Sequence, residues 1–100
     1  MTRLNKEDRR AKVYSIYERL QEYDVTVTLI TTYTSLPPAI ELEGRDNRLL
    51  GWVIVSTSKT ELIDELTDAN RYYYPHKDFS TDQVVEILVT RYNLKKRCNI

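Results

Sequence analysis

The sequence predicts a single α+β domain in the order α-β-β-β-α-α, a three-stranded antiparallel meander sheet packed by helices. Three observations lead there. Apolar residues recur at helical spacing near the start and again through the second half. Between them lies β-branched sequence that alternates with period two. Prolines and a polar, glycine-containing turn separate the alternating segments. One hundred residues can bury one modest core, and 41% hydrophobic with 30% charged residues marks a globular chain, not a disordered one.

The first helix is expected over residues 6–23. Asn5, with Asp8 three residues on, can open it, and Val13, Ile16, Tyr17 and Leu20 fall on one face. Asp24 closes it. "VTVTLITTYT" over 25–34 then alternates Val25, Val27 and Leu29 against threonines and predicts a strand. The prolines of "SLPP" end it, because neither can donate to a ladder. "AIELE" alternates again, "GRDNR" supplies a turn, and "LLGWVIVS" returns as a hairpin partner. Its continuous apolar run predicts a central strand or one covered on both faces.

Ser58 followed by Glu61 reads as a capping box, and Leu62, Leu66, Ala69 and Tyr73 continue at helical spacing. A second helix is therefore expected over 59–73. In "NRYYYPHKDFSTD", Tyr72 and Tyr73 would pack while Tyr74, before Pro75, leaves the helix. Phe79 would staple the start of a third helix, capped by Ser80 with Gln83 and carrying Val84, Val85, Leu88 and Tyr92. Residues 1–4 and 95–100 are expected to fray as the ends of one compact domain.

Fifteen basic and fifteen acidic residues cancel, so no global field calls for nucleic acid or an anionic membrane. A single cysteine, Cys98, excludes an internal disulfide and a cysteine-rich zinc site. No signal core and no membrane-length apolar run is visible, and a cytoplasmic protein is expected. No phosphate-binding glycine loop, zinc-protease motif or paired C-x-x-C occurs. His76, beside Lys77 and Asp78, has no nucleophile at a recognisable spacing. The expectation is a protein without catalytic residues, metal or cofactor.

Binding is the remaining class. Eight tyrosines against one phenylalanine and one tryptophan exceed what a core needs, and rings with a polar end suit interfaces. The candidate partner-binding residues are Tyr14, Tyr17 and Tyr23 on the first helix, with Tyr72, Tyr74, His76, Lys77 and Asp78 beyond the second. The partner would be another protein or a second copy of the chain, in a regulatory or inhibitory role. The alternative is a nucleic-acid binder using Arg3, Arg9, Arg10 and Lys12 near the start and Arg91, Lys95, Lys96 and Arg97 near the end. These would form one basic pole if the termini meet.

The order α-β-β-β-α resembles that of double-stranded RNA-binding domains. Their phosphate-binding helix start corresponds here to "STSKTELIDELTDA", with one lysine and four acids, so the likeness stops at topology. In element order and size the chain is also similar to the small phage-encoded anti-CRISPR proteins that block Cas9. That resemblance implies a mobile-element protein whose surface is its function.

Overall fold

A computed structural model describes residues 3–30 and 37–97. Helix α1 (Lys6–Leu20) is followed by five strands, β1 (Thr26–Ile30), β2 (Ala39–Glu43), β3 (Leu49–Val55), β4 (Lys59–Asp64) and β5 (Asn70–Pro75), and then by helix α2 (Thr81–Arg91). The strands form one antiparallel meander in the order β1-β2-β3-β4-β5. The fold is thus α+β, with five strands where three were expected and two helices where three were expected. The element order that suggested RNA-binding domains and anti-CRISPR proteins is not the order of this chain.

Local signals place the helices. The Asn5 side chain accepts from the Asp8 amide at 2.8 Å and starts α1. At α2 the Ser80 hydroxyl accepts from the Gln83 amide while the Gln83 side chain accepts from the Ser80 amide, a complete capping box. The β2–β3 hairpin turns at Gly44–Arg48, where Asn47 has a φ of 61° and the Gly44 amide donates to the Arg48 carbonyl at 2.8 Å.

The stretch expected as a second helix is β4, a 3-10 turn at Glu65–Thr67, and β5. Leu62 and Leu66 lie four residues apart, a spacing compatible with either period. The deciding positions are Thr60, Leu62 and Asp64, which alternate and are all buried. An aspartate among them hides the strand pattern from a hydrophobicity reading. Ser58 sits in the β3–β4 turn instead of capping a helix, and the Ser56 amide donates to the Lys59 carbonyl at 2.9 Å. Asp64 caps the 3-10 turn through the Leu66 amide, and Asp68 and Ala69 are both left-handed. No α-helix continues through two such residues.

Val13, Ile16 and Leu20 of α1 and Val84, Val85 and Leu88 of α2 pack with Val27, Ile40, Leu42, Val53, Val55 and Leu62 from one face of the sheet. Both helices therefore lie on the same side. Of the two alternatives expected for its apolar run, β3 takes the central position, with helices on one face only. Strand alternation puts Trp52, Ile54, Glu61, Ile63, Arg71 and Tyr73 on the opposite face. No described element covers them.

Candidate functional site

Two polar clusters on the helix side could have been chemical sites, and both are structural. Asp64, 2% exposed, accepts from Arg91 Nε at 2.9 Å and Nη2 at 2.5 Å, from the Tyr92 hydroxyl at 3.1 Å, from Thr67 Oγ1 at 3.1 Å and from the Leu66 amide. Burial alone would raise this carboxyl's pKa; the bonds from Arg91, Tyr92, Leu66 and Thr67 outweigh it and hold the group below its usual value. Arg91 also stacks on the Tyr72 ring, 4.0 Å from its centroid. Both Asp64 oxygens are bonded, and through Arg91 and Tyr92 the cluster clasps α2 to β4.

Lys12 Nζ lies 3.1 Å from His76 Nδ1 and donates to the Phe79 carbonyl at 3.0 Å, while His76 Nε2 lies 2.8 Å from the Ser56 carbonyl. A carbonyl only accepts, so Nε2 carries the proton and Nδ1 receives the lysine. Burial lowers the His76 pKa, with the Lys12 charge adding to it and the Ser56 bond opposing. Burial also lowers that of Lys12. The neutral imidazole ties α1 to the turn after β5. Among the described residues its ring bonds only Lys12 and the Ser56 carbonyl, and no group of acids, histidines and cysteines could hold a metal.

The expected basic pole is divided. Near the start of α1, the Leu4 amide donates to the Thr57 carbonyl and Arg9 Nη1 bonds the Leu4 carbonyl at 3.0 Å. At the other end, the Lys95 amide bonds Asp24, the Arg97 amide bonds the Glu22 carbonyl at 2.8 Å, and Arg97 reaches the carbonyls of Gln21 and Val25. The two groups are separated by the length of α1, fifteen residues or about 22 Å. Lys12 and Arg91 are engaged as described, and Lys96 approaches Glu22 at 3.9 Å. Arg3, Arg10 and Lys95 are exposed. Residues 95–97 are thereby bonded to the end of α1; Cys98 lies outside the described residues.

The predicted tyrosine surface is also dispersed. Tyr14 is exposed on α1, whereas Tyr17, Tyr23, Tyr72 and Tyr74 pack against the core. Tyr74 meets Phe79 edge-on at 5.2 Å between centroids. Tyr73, expected to be buried, is the ring that points out and is 52% exposed, because strand alternation sends it opposite to Tyr72 and Tyr74. Lys77 and Asp78 are exposed in the turn beside half-buried His76.

The uncovered sheet face gathers the residues that the sequence reading left out. Its rows follow from strand register. Ile30, Ala39, Ile54, Glu61 and Tyr73 form one, and Thr28, Glu41, Trp52, Ile63 and Arg71 the next. The Trp52 indole donates to Glu41 at 3.2 Å, and Arg71 Nη1 pairs with Glu61 at 2.9 Å. Lys59 sits 5.2 Å from the Tyr73 ring centroid. These contacts fix aromatic and charged side chains on a rigid platform. The period-two pattern of β3 and β5 could have located Trp52 and Tyr73, had β5 been legible as a strand. A groove of about 500 Å³ along α2, lined by Phe79, Gln83, Glu86, Ile87, Thr90 and Arg91, holds no comparable arrangement. No family model, curated protein or solved structure matches the chain. No described helix is long and apolar enough to cross a membrane.

Proposed function

We propose that this protein is a small non-catalytic binding module that works through protein–protein contact, and that its contact surface is the open face of the sheet. The observation that carries this reading is the contiguous set of half-buried Trp52, Ile54 and Ile63 and exposed Tyr73, with Arg71 at its margin, on a face that no described element covers. Trp, Tyr and Arg are the residues that most often dominate binding energy. Here all three stand on strands, so little side-chain or backbone freedom is left to lose on association. The two helices bury the other face, so among the described residues nothing is left to cover this one.

The helix-side clusters support a non-catalytic reading, since their recorded hydrogen bonds join elements of the fold. The division of the basic residues between the two ends of α1 weighs against the nucleic-acid alternative, because phosphate tracking needs a continuous basic stripe.

The test is an NMR titration of isotopically labelled protein with soluble cell extract, with and without nuclease treatment. Broadening of the Trp52 indole and the Ile54 and Ile63 methyl signals that survives nuclease supports the proposal. Shifts confined to residues 3–12 and 95–97, and abolished by nuclease, would transfer the function to nucleic-acid binding.

A further inference from the structure

We infer that the occupant of the open face is a second copy of this chain, packed sheet on sheet about a two-fold axis that runs along β3. This rests on the reading of that face as the contact surface and adds the partner's identity. The face is self-complementary under such an axis. A two-fold axis lying between two such sheets and parallel to the strands reverses the strand order, so β2 of one copy lies over β4 of the other and β1 over β5.

The consequences follow row by row. Ile30 meets Tyr73 of the second copy, and Ile54 and Trp52, on the axis strand, each meet their own counterpart. Glu41 sits over Ile63 of the second copy, one strand spacing of about 4.8 Å from its Arg71. That pairing is chemically apt. Glu41 and Glu43 on β2 have no ion-pair partner among the described residues. Arg71 spends Nη1 on Glu61 yet remains 58% exposed, with donors to spare. The other in-plane axis, perpendicular to the strands, would set β2 over β2 and, where it passes through the Trp52 row, Arg71 over Arg71. Like charges would then face one another. The axis along β3 brings acid near base while keeping the apolar positions together.

The area sets the strength. Five strands at about 4.8 Å cover about 24 Å, and six residues at about 3.4 Å cover about 20 Å, giving about 500 Å² per copy in projection. The pair buries about 1,000 Å², the threshold for a specific interface, so the dimer belongs to the weak, micromolar class.

The experiment is sedimentation velocity over a micromolar-to-millimolar series, on the wild type, Glu41→Lys, Arg71→Glu, and a one-to-one mixture of the two variants. Circular dichroism and urea midpoints verify that each variant is folded. The wild type should show a reversible monomer–dimer equilibrium. Each single variant places like charges at both symmetry-related contacts and should weaken it by roughly tenfold or more. In the mixed dimer one contact pairs Lys with Glu and the other keeps Glu41 with Arg71, so the mixture should dimerise more tightly than either variant alone. A local folding defect cannot produce that recovery. A wild type that sediments as a monomer throughout, or a mixture no tighter than its components, would overturn the second copy as occupant. If the nuclease-resistant broadening persists in extract, the open face stands as a surface for a different protein; if it is absent as well, both readings fail.

Discussion

Asp64→Ala removes the acceptor on which α2 is clasped to the sheet, and its cost can be worked from the contacts. Asp64 is 2% exposed and receives two bonds from Arg91, one from Tyr92, one from Thr67 and one from the Leu66 amide. Removing one member of a buried ion pair costs about 3–5 kcal/mol, mostly from stranding the other charge. Here the Arg91 side chain is 27% exposed and Tyr92 keeps a second acceptor in the Leu50 carbonyl at 3.3 Å, so water and that bond relieve part of the loss. The low end applies, about 3 kcal/mol, or a drop in Tm of about 12 °C or more for a domain of this size. Urea unfolding followed by Trp52 fluorescence measures it. Arg91→Met in a double-mutant cycle should give a coupling of about 2 kcal/mol, because the double variant strands no charge. A loss below about 1 kcal/mol for Asp64→Ala would equate the pair with a surface salt bridge and refute the clasp. The same carboxyl makes the protein acid-sensitive. Its folded pKa is depressed, so the stability it contributes is present above the unfolded value of about 3.9 and is lost as pH falls through the folded value.

Other outcomes test neighbouring parts of the structure. A Cβ on Gly51 would overlap the Ile63 carbonyl and press the Tyr92 hydroxyl at 3.3 Å, so Gly51→Ala should cost about 2 kcal/mol in urea unfolding. Thr60 Oγ1 is buried with no hydrogen-bond partner among the described residues, so Thr60→Val should leave the urea midpoint unchanged or raise stability by about 1 kcal/mol. The folded His76 pKa lies below its unfolded value of about 6.5, so the unfolded chain takes up the proton first and stability falls as pH drops from about 6.5 toward the folded value. Lys12 from α1 and the Ser56 carbonyl face that ring, and neither stabilises the imidazolium enough to reverse the sign. His76→Gln should flatten the pH dependence of the urea midpoint in this window, and an unchanged slope would assign it to another group.

Both helices, their caps and the β2–β3 hairpin are determined by residues within four or five positions of one another. Asn5 with Asp8, Ser80 with Gln83, and the Gly44–Arg48 turn act locally, and each is readable in sequence. Segment 59–75 is different. Its apolar residues at intervals of four satisfy a helix and a strand alike, and its third inward position is an aspartate. Only pairing with β3, and an arginine supplied from residue 91, make Thr60, Leu62 and Asp64 one buried row. The site shares that origin. Whether Tyr73 or Tyr74 faces water depends on β5 being a strand. Whether Trp52 is covered depends on both helices choosing the same side of the sheet. Sequence decided where the chain turns and where helices begin; non-local pairing decided the strands, and with them which aromatic side chains no described element covers.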